Sequence, residues 1–165
     1  MNAPFNLQQW IEDNRELLKP PVGNKMLWNG NLMVMIVGGP NQRSDFHVNP
    51  GEELFYQIEG DIVLRVREDK QTRDIPIRQG EMFLLPAKIP HSPQRPEGTV
   101  GLVIEHQRPA EEDDHMVWFC DDCGELLHDA SFHLVDLGQQ LKPILEEFHA
   151  NKSLRTCENC GAVAT

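Results

Sequence analysis

Residues 43–60, RSDFHVNPGEELFYQIEG, and residues 80–95, GEMFLLPAKIPHSPQR, decide how this chain folds. If the backbone is extended into His47, then Arg43, Asp45 and His47 share a face, because side chains alternate along a strand. Pro50-Gly51 turns the chain, and residues 52–58 read as a strand starting beside Glu53. Glu59-Gly60-Asp61 turns it again. In the second stretch a short apolar strand at 82–85 ends at Pro86, and His91 lies in a proline-rich loop. Closed on one another, the two stretches offer His47, Glu53 and His91. Two imidazoles and one carboxylate suit a non-haem Fe(II) held on one face, with the other positions open. Zinc accepts the same three donors.

On the N-terminal side, Asn6 caps a helix running to about Lys19, with Leu7, Trp10, Ile11 and Leu18 on one apolar face. Pro20 and Pro21 end it. Asn29-Gly30 is a two-residue hairpin signal, and residues 32–37 read as a buried strand. Between the two central stretches, residues 62–67 alternate apolar and charged as a half-exposed strand does. Asp69-Lys70 turns into residues 72–77, an edge strand because it contains Pro76. Residues 99–107 form a strand with Val103 and Glu105 on one face. Many short strands with turn signals between them indicate a small barrel or sandwich. Beyond Pro109 the character changes. EEDDH, 111–115, reads as a solvated linker, 125–135 as strand-like, and 139–149 as a helix.

The chain has 165 residues, 39% apolar and 25% charged, enough for one cored domain with a modest appendage. Its net charge of −11 argues against a partner such as nucleic acid or an anionic membrane, which needs a basic face. An anionic substrate must therefore be recognised by local arginines. Arg43 stands four residues before His47 and Arg95 four after His91. An arginine can grip a carboxylate through two parallel hydrogen bonds. The alternative is that Arg95 merely settles buried charge on Glu105 or Asp45. Asp45 reads as a residue that orients an imidazole or an arginine. With no apolar run of membrane-spanning length and no signal-peptide pattern, a cytoplasmic location is expected.

Cys120, Cys123, Cys157 and Cys160 form CxxC–x33–CxxC, with Gly124 and Gly161 after each pair. Four thiolates in two such knuckles bind zinc or a single iron tetrahedrally, and a closed four-sulfur site is structural. Two redox CxxC pairs are the other reading. The remaining histidines, His106, His115, His128, His133 and His149, lack ligand spacing and read as structural or surface residues.

The two central stretches resemble the paired motifs of the cupin superfamily, with His47, Glu53 and Gly60 in the first and Gly80, Pro86 and His91 in the second. Asn49 stands where cupins usually place a second histidine, and Lys88 where a glycine is common. Within the cupins, LLKPPVGNK, VGGPNQRSDFH, EELFYQIEG, FLLPAKIPHSPQRPE and LVIEHQRP resemble the 3-hydroxyanthranilate 3,4-dioxygenase family, and the CxxC tail resembles its short bacterial form. The resemblance implies an all-β fold: a single jelly-roll-like cupin barrel with an N-terminal helix and a metal-clipped extension, divided as 1–112 and 113–165. It implies Fe(II) on His47, Glu53 and His91, and a rubredoxin-like iron on the four cysteines, where zinc is the alternative. It implies that Arg43 and Arg95 hold the substrate carboxylate and that Glu105 contacts the amino or hydroxyl end. Asn24 is a weaker candidate for the pocket lining. The implied reaction opens the ring of 3-hydroxyanthranilate with dioxygen to 2-amino-3-carboxymuconate semialdehyde, which closes to quinolinate unaided. The implied assembly is a homodimer. The rival readings are a cupin oxygenase of another ortho-substituted aromatic acid and a non-enzymatic ligand sensor.

Overall fold

The computed structural model describes residues 3–20, 23–41, 43–135 and 137–164. Eleven strands follow one another among them: β1 Asn24–Asn29, β2 Leu32–Gly38, β3 Phe46–Val48, β4 Glu53–Glu59, β5 Ile62–Glu68, β6 Gln71–Ile77, β7 Met82–Leu85, β8 His91–Gln94, β9 Val100–His106, β10 Asp114–Phe119 and β11 Leu126–Phe132. They form two antiparallel sheets, one ordered β1-β2-β9-β4-β7 and the other β11-β10-β3-β8-β5-β6. Met35, Phe55 and Val103 from the first sheet meet Leu64 and Val66 from the second in a core that Ile62, Ile77 and Leu85 complete. This is the expected jelly-roll-like all-β barrel. Glu59-Gly60-Asp61 carries the chain from one sheet to the other, and Gly60 takes a left-handed φ of 64° there.

The N-terminal helix is shorter than expected. Asn6 caps α1, Leu7–Asp13, accepting from the Gln9 amide at 3.0 Å. The helix breaks at Asn14 and resumes as one 3-10 turn, Arg15–Leu18. Asn14 causes the break: its Nδ2 donates to the Trp10 carbonyl at 2.7 Å and competes with the helical ladder. Ile11 and Leu18 still face the sheet and pack on Ile36 and Val100. Gly38 is needed there, since a Cβ would lie 2.2 Å from the Leu18 carbonyl oxygen. Pro21 lies outside the described residues.

Most expected turns are found. β5 and β6 pair from Glu68–Gln71 outward, with Asp69 and Lys70 at φ 49° and 63° in the two-residue turn. β6, with Pro76, is an edge strand. The first hairpin closes one residue later than expected, because Asn29 pairs with Met33 as the last residue of β1. His91 is in a strand, not a loop: β8 runs between β3 and β5 despite Pro93.

The run read as a solvated linker is corrected at its fourth residue. Glu111 and Asp113 are exposed, but Asp114 is fully buried and opens β10, which joins the barrel sheet beside β3. The chain on either side of the 112/113 division is thus joined through one sheet. A second helix, α2 Leu137–Ala150, lays Phe148 on Trp118 with ring centroids 4.1 Å apart. A short α3, Lys152–Arg155, which the sequence did not suggest, leads into the last knuckle.

That knuckle and its partner are built alike. Cys120 accepts through its carbonyl from the Gly124 amide at 2.8 Å, and Cys157 from the Gly161 amide at 2.8 Å. Both glycines take left-handed φ values, 74° and 78°, that other residues disfavour. Cys120 Sγ lies 3.5 Å from Cys160 Sγ, and Cys123 Sγ 3.5 Å from Cys157 Sγ. Four sulfurs about 2.3 Å from a central ion would be about 3.8 Å apart, so the donors suit a tetrahedral metal. Arg67 ties the first knuckle to the barrel by donating to the Gly124 carbonyl, its guanidinium 4.0 Å from the Phe119 ring centroid. Structural metal sites contribute directly to folding free energy. Cys120→Ser is therefore expected to lower the melting temperature and to lose the sulfur-bound metal. Any turnover per metal ion bound at His47, Glu53 and His91 should stay within about tenfold, under about 1.4 kcal/mol. Complete loss of turnover with that metal still bound would contradict a purely structural role.

Candidate active site

Strand pairing brings the expected ligands together. His47 on β3 is the cross-strand partner of His91 on β8, and Glu53 on β4 is the partner of Glu105 on β9. The donor atoms of His47, Glu53 and His91 all lie within 4.8 Å of one another, and the three residues are buried. His91 Nε2 is 3.1 Å from Glu53 Oε2. Two donors at right angles about 2.1 Å from one ion would be about 3.0 Å apart, so this edge fits a metal. Each imidazole is also anchored at one ring nitrogen. His91 Nδ1 is 3.0 Å from the Ile89 carbonyl, and His47 Nε2 is 2.6 Å from Asp114 Oδ2. Each ring keeps its other nitrogen for an ion, the usual arrangement of a metal-binding histidine.

The electrostatics follow from burial and from these partners. Burial pushes the His47 pKa down, against the pull of Asp114. Burial opposes ionisation of Glu53, but His91, His47 and Arg108 together hold its carboxyl below the usual range. Burial also opposes charge on His91, yet Glu53 and the Ile89 carbonyl keep its pKa raised. Burial pushes Glu105 up to about 7, helped by Glu53 and opposed by Arg108.

Both predicted arginines are present. Arg95 is buried, and burial lowers its pKa to about 10. It is not paired with Glu105 or Asp45; its Nη1 is 3.4 Å from Gln57 Oε1. Arg43 makes a forked contact with the fully buried Asp45, Nε lying 3.0 Å from Oδ2, so Asp45 orients an arginine. Asn24 opens β1, half-buried, and no hydrogen bond among the described residues joins it to the ligand trio.

The roles of four residues, Asn49, Arg108, Asp114 and Gly101, were not legible. Asn49 is fully buried, and its Nδ2 donates to Glu53 at 3.1 Å and Glu105 at 3.4 Å. Arg108 and Asp114 form an ion pair that reaches Glu105 and His47. Gly101 makes room for Arg95, because a Cβ there would lie 2.8 Å from Arg95 Nη1 and 2.9 Å from Gln57 Oε1. Gly101→Ala is therefore expected to fold, since the obstacle is the far end of a flexible side chain, and to displace the guanidinium. With Arg95 as the substrate-binding group that the family resemblance implies, its displacement costs on the order of 10–100-fold in kcat/KM, expected chiefly through KM. A variant with wild-type KM would show that Arg95 does not need this position.

A cavity of about 620 Å³ opens between the β5–β6 hairpin and the first knuckle and reaches Arg43; Arg65, Arg67, Thr72, Phe119 and Gly124 also line it. None of the three ligands lines it. The other histidines behave as expected. His115 pairs with Asp129, His133 bonds the Glu112 carbonyl, and His128 stacks on Trp118.

A buried two-histidine, one-carboxylate cluster on facing strands, with two arginines and a second carboxylate beside it, invites comparison with known proteins. The family model for 3-hydroxyanthranilic acid dioxygenase matches residues 1–149. The chain belongs to this family. It is 51% identical over 164 residues to the 3-hydroxyanthranilate 3,4-dioxygenase of Neurospora crassa, covering 99% of this chain and 91% of that one. The same-named protein of Ruegeria pomeroyi is 50% identical over 163 residues, covering 98% and 91%. The one from Xanthomonas campestris pv. campestris is 49% identical over 160 residues, covering 97% and 91%. Among solved structures, a protein from Neisseria meningitidis superposes with a TM-score of 0.52 at 18% identity, over 63% of this chain and 99% of that one. At that identity the likeness supports the fold alone, a β-barrel of two antiparallel sheets. In this 3-hydroxyanthranilic acid dioxygenase family member, residues 1–149 span the whole site just described, from Arg43 to Asp114. No helix among the described residues is long and apolar enough to cross a membrane.

Proposed function

We propose that this chain is a ring-opening dioxygenase that converts 3-hydroxyanthranilate and O2 to 2-amino-3-carboxymuconate semialdehyde, with Fe(II) held by His47, Glu53 and His91. The observation that carries this reading is the buried ligand trio with Arg43, Arg95 and Glu105 all near enough to feel the charge of Glu53. Bound Fe(II) would supply the open positions and the redox chemistry that join an aromatic aminophenol to dioxygen. Both oxygen atoms enter the product, and the ring bond beside the hydroxyl-bearing carbon breaks.

The chain's own residues then have separate tasks. Arg43 and Arg95 bind the substrate carboxylate, and Asp45 sets the angle of Arg43. Their proximity to one another, felt as mutual repulsion of charge, makes the space between them favour an anion. Glu105 faces the hydroxyl and amino end. Its two donors among the described residues, Arg108 and Asn49, both contact Oε2, which leaves Oε1 to accept from substrate. A carboxyl near pKa 7 is matched to a proton transfer at neutral pH. Asn24, half-buried at the start of β1, is a further residue proposed for the pocket lining.

Fe(II)-loaded protein incubated with 3-hydroxyanthranilate in air should consume oxygen and substrate one to one. Binding without turnover would leave a ligand sensor and overturn the reading. 2-Aminophenol, which lacks the carboxylate, tests the arginines: equal efficiency on both compounds would remove them from recognition. The four-cysteine site is assigned a second iron. Visible thiolate-to-iron absorption should accompany it, and metal analysis finding zinc there would replace that assignment.

The partner assignment is a second copy of the chain. Trp28, Val34, Ile104, Leu54 and Leu84 are cross-strand neighbours forming one apolar row over the outer face of the first sheet. Trp28 and Leu84 are 45% and 52% exposed. On a chain of net charge −11, an uncharged face is where two copies meet without repulsion. Sedimentation giving twice the chain mass is expected; a monomer at micromolar concentration would reject the pairing.

A further inference from the structure

We infer that Arg108 and Asp114 are positioning residues that hold Glu105 and His47 in a fixed relation, so that the proton-accepting acid and one metal ligand are set as a unit. This rests on the reading above, in which Glu105 faces substrate and His47 binds iron.

The geometry is a continuous chain of contacts from Glu105 to His47. Arg108 Nε lies 2.5 Å from Asp114 Oδ1, and Arg108 Nη2 lies 2.7 Å from Asp114 Oδ2. The same Nη2 reaches Glu105 Oε2 at 2.5 Å. Arg108 Nη1 donates to the His106 carbonyl at 2.6 Å, which fixes the guanidinium to the end of β9. Asp114 Oδ2 then lies 2.6 Å from His47 Nε2. The side chains of Arg108, Asp114 and Glu105 are at most 2% exposed, and that of His47 is 7%. All three nitrogens of one planar group are therefore committed, two of them to carboxylates and one to backbone.

Such an arrangement is informative because it is expensive to bury. Two carboxylates and a guanidinium lose their hydration, and only well-made hydrogen bonds offset that. A barrel of ordinary stability could fill the volume with apolar side chains. What the ions add is direction. An imidazole anchored by a carboxylate is held in one orientation, and such outer partners commonly change metal affinity by 10–100-fold when removed. Arg108 does the same for Glu105: by taking Oε2, it turns Oε1 to the substrate side. Lysine cannot substitute, because one ammonium does not span two carboxylates and a carbonyl in a fixed plane. Arg108 acts through Glu105 and Asp114 acts through His47.

Two variants test the two halves, each with a readout beyond activity. Asp114→Asn is isosteric. Anaerobic titration should show its Fe(II) dissociation constant raised about 10–100-fold, and the electron paramagnetic resonance spectrum of its nitric-oxide adduct should differ from wild type before substrate is added. Unchanged affinity together with an unchanged spectrum would overturn the Asp114 half. Arg108→Lys keeps a charge, so the fold should persist by circular dichroism, with its active-site Fe(II) dissociation constant within about twofold of wild type. Its kcat should fall at least tenfold with little change in KM. The decisive comparison is a double-mutant cycle with Glu105→Gln. If Arg108 works through Glu105, then Arg108→Lys changes kcat less than twofold in the Glu105→Gln background. Full additivity, with Glu105→Gln slow by itself, overturns the Arg108 half alone. Wild-type kcat in Glu105→Gln removes Glu105 from the chemistry, and the inference falls together with the reading it rests on. If Arg108→Lys does not fold, Arg108→Gln takes its place in the same cycle with the same criterion.

Discussion

The active-site iron is lost, leaving only the metal of the four-cysteine site, and turnover disappears in His47→Ala, in Glu53→Ala and in His91→Ala, while the barrel stays folded. This is the largest effect expected anywhere in the chain. Three protein donors are the fewest that hold an ion on one face with the other positions free. Losing one leaves two donors, and no other His, Cys, Asp or Glu among the described residues joins this cluster. The fold should survive because the core that closes the barrel is made by other residues, with Phe55, Leu64, Val66 and Val103 between the sheets. Removing His91 costs Glu53 its 3.1 Å contact, but Asn49 still donates to the same carboxylate at 3.1 Å. Iron assay and thermal melting on purified variants check the two halves of the expectation. A variant with normal iron and normal turnover would take its residue out of the site.

What the sequence makes legible here is what is local. His47, Glu53 and His91 are separated by turns that a reader can see, Pro50-Gly51 and Glu59-Gly60-Asp61, so strand positions and ligand spacing follow together. The paired CxxC knuckles are legible for the same reason, each being closed by its own glycine. Three kinds of feature escape. The break at Asn14 depends on a side chain choosing the Trp10 carbonyl over solvent, and propensity does not decide that. His91 looks like part of a loop because Pro90 and Pro93 flank it, yet its strand is built by neighbours far away in sequence, β3 and β5. Asp114 is the instructive case. In the run EEDDH it is one acid among four, and composition assigns all of them to water. Only the pairing of β10 with β3 carries it inside, and only Arg108, which has no motif of its own, makes that burial tolerable. Gly101 is silent in the same way. Its meaning lies in the Arg95 side chain that occupies the missing Cβ.

Glu105→Gln is expected to keep the iron and the fold and to lower kcat by about 10²–10⁴, the usual worth of a positioned acid or base. An ionised carboxylate in an apolar barrel is costly unless it is paired, and here Arg108 and Asn49 do the pairing through Oε2. Oε1 is left to accept a proton from the substrate hydroxyl. Glutamine changes more than charge. Arg108 presents only donors, so the amide must turn its oxygen toward the guanidinium. Its NH2 group then faces the substrate, placing a donor where an acceptor is needed. The hydroxyl proton loses its destination, and the loss falls on kcat. The competing role is electrostatic, with Glu105 present only to neutralise a buried cation. Arg95 was the expected cation, and the structure pairs Arg108 with Glu105 instead. Under that role Glu105→Gln would weaken substrate binding or lower the melting temperature and leave the chemical step alone. Measuring kcat, KM and melting temperature on one preparation separates the two, since an unchanged kcat with a raised KM removes Glu105 from proton transfer.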